Sequence, residues 1–207
     1  MSQQAIVDPF EERALSVAGW AALPEDEPGE LVDGRLVEEE VPDCVHELVV
    51  GWLIQVLRNW LVPRGALVLG SEVKYAVKPR RGRKADVSVF LSPSRKPPPR
   101  GPVAIPPDIM IEVVSPTPRD GRRDRVEKVQ EYAAFGVRWY WLIDPQLRSF
   151  ELFELEAGGR YLHALGATGG VLRDVPGCDG LALDLDALFR EMDQLGGEAE
   201  PEGDKEG

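Results

Sequence analysis

Alternating and helical patterns of apolar residues define the first half of the chain. The segment GELVDGRLVEEEV alternates apolar and polar positions around Asp33 and Gly34, a dipeptide that favours a tight turn, and this predicts a β-hairpin. Between Cys44 and Leu61, apolar residues recur at intervals of three and four, which predicts an amphipathic helix with Asp43 as its N-cap. Short apolar runs then predict strands in ALVLGSEVKYAVK and ADVSVFL, separated by the basic turn PRRGRK.

The second half continues with a strand, a helix and further strands. DIMIEVV follows a proline-rich loop and reads as a buried strand, and a helix capped by Asp120 or Asp124 should end at Gly136. The predicted apolar stripe of this helix, with Lys128 at its edge, consists of Val126, Val129, Tyr132 and Ala133. VRWYWLID predicts another strand, RSFELFELEAGGRYLHAL a hairpin, and LDALFREM a short closing helix.

This order of elements predicts an α/β or α+β fold with a mixed central sheet. A chain of 207 residues favours one domain, which we place at residues 29–190. Residues 1–28 are predicted to be an acidic lead-in. Residues 191–207 are rich in Gly and Glu and cannot bury enough apolar area to become ordered, so an acidic disordered tail is expected there.

Composition excludes several classes of protein. No run approaches ~18 consecutive apolar residues, and the first residues lack a basic region followed by an apolar stretch, so we expect a cytoplasmic protein without a membrane partner. The two cysteines, Cys44 and Cys178, fit no zinc-ligand spacing and no disulfide framework.

Charge is strongly segregated along the chain. The net charge is −12, yet the segment from Lys74 to Arg138 contains 15 Lys or Arg and 7 Asp or Glu, a local charge of +8. Such asymmetry indicates a surface for nucleic acid or, equally well, a solvated charged face. The basic residues placed best to steer a phosphate, just before Asp86, are Arg80, Arg81, Arg83 and Lys84.

Glu112 is the least ordinary residue, because it interrupts the apolar run PPDIMIEVVSP. A buried carboxylate needs a cation, a basic side chain or an active-site cleft. Asp86 opens the preceding strand, and two carboxylates on adjacent strands are the usual protein share of a Mg²⁺ site. Lys128 on the next helix could stabilise negative charge on a phosphate or help an attacking water lose its proton, a set sufficient for phosphodiester hydrolysis.

The residues also allow plainer interpretations. Asp86 has the position of a turn former or a cap, and Glu112 could form a buried salt bridge with Arg119, Arg122 or Arg125. In that case the chain would be a domain without nuclease chemistry.

Several blocks together resemble a known family. GELVDGRLV, His46 at the head of a helix, ADVSVF, PPDIMIEVVSP, DRVEKVQEYAAFGVRWYWLIDP and GLALDLDALF occur in the order seen in the Uma2 type of putative restriction endonucleases, a branch of the PD-(D/E)XK nuclease superfamily. The resemblance runs from about Gly29 to Phe189. It implies a restriction-endonuclease-like core, a mixed sheet flanked by helices, and cleavage of DNA that depends on Mg²⁺ or Mn²⁺.

Site residues follow from the resemblance by position. Asp86 and Glu112 match the two motif acids and, with the Val113 carbonyl, would hold the metal, while His46 would help bind water or phosphate. The superfamily's lysine two residues after the second acid is Val114 here, and Lys128 matches the place to which the family commonly displaces it. Pairing of two subunits in a homodimer is a further expectation. The alternative is a catalytically silent module that binds nucleic acid or a protein partner.

Overall fold

The computed structural model describes residues 14–24, 29–38, 41–117 and 121–195. The helices are α1 (Val17–Ala21), α2 (Cys44–Leu61), α3 (Val129–Phe135) and α4 (Leu185–Leu195), with a 3₁₀ turn at Val62–Arg64 and a π-helical segment at Arg123–Lys128. The strands are β1 (Glu30–Val32), β2 (Arg35–Val37), β3 (Leu67–Leu69), β4 (Tyr75–Lys78), β5 (Arg81–Arg83), β6 (Val87–Phe90), β7 (Ile109–Val113), β8 (Trp139–Asp144), β9 (Ser149–Leu155), β10 (Tyr161–Ala167), β11 (Val171–Val175) and β12 (Cys178–Asp184).

A six-stranded sheet forms the centre of the molecule, in the order β10-β9-β8-β7-β6-β3. Strands β7 and β8 run parallel, whereas the other neighbouring pairs are antiparallel. A parallel pair requires a crossover connection, and the segment that contains α3 supplies it between these two strands. The predicted mixed sheet with flanking helices is therefore confirmed.

Each face of this sheet has its own core. On one face, alternate residues such as Ile111 and Trp141 pack with the apolar stripe of α2 and with α4. On the other face, Met110 and Tyr140 pack with Tyr132 of α3. The period-2 alternation of the strands thus separates the two cores, and polar residues that replace apolar ones near a strand end come to lie at the sheet's rim.

Most of the elements predicted from the apolar pattern are confirmed. The β1–β2 hairpin turns at Asp33 and Gly34, and α2 has the predicted bounds, with Asp43 accepting a 2.7 Å hydrogen bond from the backbone N–H of His46. Helix α3 ends at Gly136, whose φ of +93° is the left-handed conformation that favours glycine at this position.

The predicted strand ALVLGSEVKYAVK was wrong as a single element. It divides into β3 and β4, which belong to different sheets, because β3 pairs with β6 while β4 pairs with β5. The basic segment PRRGRK is not only a turn, since β5 lies within it. Sequence patterns also missed α1, whose Trp20 ring packs on Gly82 so closely that a Cβ there would lie 2.2 Å from the ring, and the β11–β12 hairpin.

The apolar stripe predicted for the second helix was wrong at Val126, which is 49% exposed. Residues Arg123–Lys128 form a π-helical segment, whose wider turn shifts the buried face away from the 3.6-residue period. The residues buried there are Arg123, Asp124 and Lys128, so Asp124 does not act as an N-cap.

Parts of the predicted termini lie outside the described residues, namely 1–13 and 25–28 of the lead-in and 196–207 of the tail. The division into lead-in, domain and tail stays a prediction, although α1 lies in the former segment and the last turn of α4 in the latter. Within the described ranges, no helix combines the length and the apolar character needed to cross a membrane.

Candidate functional site

Asp86 and Glu112 face each other across two adjacent strands. The antiparallel register pairs Val87 of β6 with Ile111 of β7, so the next position outward pairs Asp86 with Glu112. Directly opposed residues point to the same face of a sheet, with their Cβ atoms about 4.5–5.5 Å apart. Both carboxylates line a cleft of about 270 Å³. The structure therefore brings together the two acids that the sequence selected.

The buried carboxylate of Glu112 is held by two donors. Lys128 Nζ lies 2.8 Å from Oε2, and the hydroxyl of Tyr132 donates to Oε1. Glu112 is only 2% exposed, and this burial raises the pKa of its carboxyl well above the usual value. The Lys128 charge opposes the rise, whereas the charges of Asp86 and Asp124 add to it.

Lys128 reaches Glu112 because the π-helical segment turns it inward, and it also lies 3.0 Å from Asp124 Oδ1. Burial alone would lower the pKa of the Lys128 ammonium, yet the charges of Asp124 and Glu112 outweigh this and raise it well above normal. Of the arginine partners considered for Glu112, Arg125 binds Asp144 and Glu151 instead. Of the other two, Arg122 is exposed, and residue 119 lies outside the described ranges.

Asp86 joins the strand end to the first turn of α2. Its Oδ2 accepts a 2.7 Å hydrogen bond from the backbone N–H of Val113, and His46 Nε2 lies 3.4 Å from the same oxygen. Burial lowers the pKa of His46, but the hydrogen bond to Asp86 and its charge outweigh burial, so that this pKa is raised. The other ring nitrogen of His46, Nδ1, is buried without a hydrogen-bond partner among the described residues.

A second charged cluster lies beside the cleft. Arg83 of β5 is fully buried and binds Glu30 of β1 at 2.5 Å and Glu131 of α3 at 2.6 Å, while Arg81 is paired with Asp33 and Glu131. Glu30 also accepts from the backbone N–H of residue 84 at 2.9 Å. The cluster ties the hairpin, β5 and α3 together, directly before the strand that presents Asp86.

This placement revises the predicted phosphate contacts. Arg83 has no accessible surface and Arg81 is held by two carboxylates, so neither guanidinium is presented to a phosphate. Arg80 is exposed, and Lys84 lines the cleft and lies 3.4 Å from the exposed Glu72. The sequence does not show which basic residues are buried, because the burial of an arginine depends on acidic partners that only the fold brings next to it.

We expect Arg83→Met to lower the free energy of unfolding by about 3–5 kcal/mol, because it leaves Glu30 and Glu131 buried without their cation. Urea denaturation followed by circular dichroism measures the change. Arg80→Met, at an exposed position in the same segment, should stay within about 0.5 kcal/mol of the unaltered protein. A loss below about 1 kcal/mol for Arg83→Met would contradict a structural role for this ion pair.

The donors in the cleft fit a hard divalent cation. Asp86 and Glu112 supply carboxylate oxygens, and Val113, whose carbonyl is the predicted third ligand, also lines the cleft. Each carboxylate oxygen has two lone pairs, so Glu112 can keep its contacts with Lys128 and Tyr132 and still accept a cation. In the part of the chain that the structure describes, no three His, Cys, Asp or Glu residues cluster as metal ligands, so the protein's share would be this smaller set.

Sequence reasoning missed the contacts of Tyr132 and Asp124, which it assigned to an apolar stripe and to a helix cap. Their spacing in the sequence carries only the signal of a helix face. The π-helical segment and the packing of α3 against the sheet bring Asp124 to Lys128 and the Tyr132 hydroxyl to Glu112. A count of acids around one lysine could have drawn attention to Asp124, four residues before Lys128.

Three comparisons with known proteins bear on the family and the fold of this chain. The family described as "Uma2: Putative restriction endonuclease" matches residues 18–186. No curated protein sequence matches the chain. A solved structure of a putative nuclease belonging to DUF820 from Anabaena variabilis is similar over 86% of this chain and 99% of that chain, with 21% identity and a TM-score of 0.65. The type IIG restriction endonuclease BpuSI is similar over 77% of this chain and 18% of its own, with 13% identity and a TM-score of 0.39.

Proposed function

We propose that this chain, which belongs to the Uma2 family of putative restriction endonucleases, hydrolyses phosphodiester bonds of DNA in the cleft of Asp86 and Glu112 with a divalent cation, Mg²⁺ or Mn²⁺. The observation that carries the proposal is the meeting of these two carboxylates with Lys128 at one rim of the sheet. The charges of Asp86, Asp124 and Glu30 all act to raise the pKa of Glu112 and Lys128 opposes them, so a divalent cation between Asp86 and Glu112 would favour the ionised form of this carboxyl.

Asp86, Glu112 and the Val113 carbonyl would hold the cation. When bound, it would supply a Lewis acid that polarises the phosphoryl group and makes a water molecule more acidic. The ammonium of Lys128, fixed between Glu112 and Asp124, is placed to stabilise the negative charge that develops on the phosphate oxygens. A fixed cation of this kind needs no reorganisation during the reaction, because its position is set by packing before the substrate arrives.

His46 has a supporting part in this proposal. Its Nε2 lies beside Asp86, so the imidazole orients that carboxylate and stands at the wall of the cleft, where water or phosphate would bind. The raised pKa of His46 keeps more of the imidazole protonated near neutral pH than in a free histidine.

Two observations support DNA as the substrate: the distribution of positive charge and the family to which the chain belongs. Lys84 lines the cleft, and the segment from Lys74 to Arg138 carries the protein's local excess of positive charge. The alternative is a silent module that binds nucleic acid or a protein partner. The contact of Lys128 with Glu112 speaks against it, because it supplies an ammonium group beside the second acid although residue 114 is a valine.

The direct test measures cleavage of linear and supercoiled DNA with Mg²⁺, Mn²⁺ or EDTA. We expect cleavage with either cation, none with EDTA, and none for Asp86→Asn, which keeps the shape of the side chain and its acceptor for the Val113 N–H. Glu154→Gln, at an ion pair on β9 outside the cleft, is the control and should cut normally. Binding of DNA without cleavage under all of these conditions would favour the silent module.

Salt dependence tests which basic residues meet the phosphates. Replacing Arg80 and Lys84 with Gln should lower the magnitude of the log–log salt slope for duplex DNA by up to roughly 0.9 per lost contact. Fluorescence anisotropy between low and moderate salt concentrations gives the slope. Arg81→Gln should leave it nearly unchanged, since that guanidinium is already paired with Asp33 and Glu131. A larger change for Arg81 than for Lys84 would place the DNA on the hairpin side of the molecule.

A further inference from the structure

A second cavity, of about 420 Å³, adjoins the cleft of Asp86 and Glu112. It lies beyond the carboxyl ends of the parallel strands β7 and β8, where the loops that follow them meet the first turn of α2 and the last turn of α4. The carboxyl ends of parallel strands are the usual place for a ligand in an open α/β sheet. His46 lines both cavities, so a molecule in one would be a direct neighbour of a molecule in the other.

Half of the residues that line this second cavity are apolar. Its apolar lining consists of Val45, Val114, Pro116, Pro145 and Met192. Its volume falls within the roughly 300–1,000 Å³ of small-molecule sites, which is enough for a planar heterocycle with part of its sugar.

The polar lining disfavours a phosphate. Among the lining residues, the guanidinium of Arg148 is paired with Asp193, and Asp43 adds a further carboxylate. Two further polar groups line the cavity: the imidazole of His46, which it shares with the cleft, and the exposed carboxamide of Gln146, which offers both a donor and an acceptor. A ligand for this cavity should therefore be uncharged, flat and polar along its edge.

We propose that this cavity binds a nucleobase of the strand whose phosphate occupies the adjacent cleft, with Gln146 reading the edge of the base. This inference rests on the proposed function. Apolar walls suit the faces of a base, and glutamine carboxamides pair with base edges through two hydrogen bonds. A base inside the cavity has left the base stack, so an unpaired nucleotide next to the cleaved bond is the preferred substrate.

The binding test uses the four deoxynucleoside 5′-monophosphates and, as the probe without a base, 2-deoxyribose 5-phosphate, all with Mg²⁺. None contains a phosphodiester bond, so binding is measured without turnover. At least one nucleotide should bind about 10-fold more tightly than the sugar phosphate and shift the NMR signal of the Gln146 side-chain amide. Gln146→Ala should reduce the differences among the four nucleotides to within about 2-fold. Gln130→Ala, an exposed glutamine on α3 outside both cavities, is the matched control and should change nothing.

The cleavage test uses a single strand with an abasic site beside the bond that is cut. Its kcat/KM should fall about 10-fold in the unaltered protein, and a mismatch that unpairs this nucleotide in a duplex should raise kcat/KM by a similar factor.

The outcomes separate this inference from the proposed function. Base-dependent binding at Gln146 without any cleavage would support the cavity assignment and reject hydrolysis. Normal cleavage with equal binding of all five probes would overturn the cavity assignment and leave hydrolysis standing. A shift of the Gln146 amide signal on removal of residues 196–207, with no response to any nucleotide, would assign the cavity to that acidic segment and likewise overturn the inference.

Discussion

Glu112→Gln should abolish DNA cleavage, with a loss on the order of 10⁴-fold or more in rate, while the chain stays folded. An amide keeps the shape of the side chain but loses the negative charge that a hard cation requires. Folding should survive because the amide oxygen can still accept from Lys128, and the Tyr132 hydroxyl can turn to accept from the amide nitrogen. Lys128 also keeps Asp124 as its counter-ion.

Single-turnover cleavage and titration with Mn²⁺ measure the two consequences of Glu112→Gln. The double variant with Asp86→Asn should lose little more than either single variant, since two ligands of one cation act as a unit. Losses that multiply in the double variant would show that the carboxylates serve separate steps. Cleavage that persists in Glu112→Gln and still requires Mg²⁺ would remove Glu112 from the metal site.

Lys128→Met should reduce the cleavage rate about 10²–10³-fold at saturating Mg²⁺, the usual loss for one electrostatic partner of the transition state. Methionine is close to the length of the lysine stem but leaves Glu112 and Asp124 buried without their shared counter-ion. We therefore also expect the free energy of unfolding to fall by about 3–5 kcal/mol in the absence of metal.

The two effects of Lys128→Met are separated by measuring both quantities in the same preparation. Urea denaturation with and without Mg²⁺ gives stability, and single-turnover kinetics on the fraction that is folded gives the rate. Lys78→Met, at an exposed position of β4, is the matched control and should alter neither. If Lys128→Met lost stability but cut at the normal rate, the lysine would be a structural counter-ion, and the attacking water would have to be served by another group such as His46.

The apolar pattern determined the elements whose residues are apolar at regular intervals or in a short unbroken run. The α2 helix with its Asp43 cap and the β1–β2 hairpin follow from periodicity within one element, and the first four residues of β9 alternate between partly exposed and buried. Strands β6, β7 and β8 follow from short apolar runs, and every position in them is buried because both faces of the sheet are covered. The apolar pattern did not predict that the chain passes from one sheet to another between β3 and β4. Both segments have similar apolar content, and they differ only in the strands with which they pair.

Part of the candidate site could likewise be predicted from the sequence, and part could not. Asp86 and Glu112 could be selected from the sequence, because a carboxylate within an apolar strand is conspicuous and the neighbouring strand supplies the second one. The residues alone did not decide which basic side chain pairs with Glu112, because Lys128 and three arginines lie close to it along the chain.

Tertiary structure alone decided the charges around the two acids. A π-helical segment of six residues turns Lys128 and Asp124 inward and exposes Val126. The pattern of apolar positions did not predict this segment. Arg83 looked like a phosphate ligand in sequence, yet it is buried between Glu30 and Glu131, which are distant from it along the chain. The physical reason is that burial of an ionisable group depends on a partner charge that the fold brings to it, and the position of that partner is set by packing between elements, whereas periodicity describes only one element at a time.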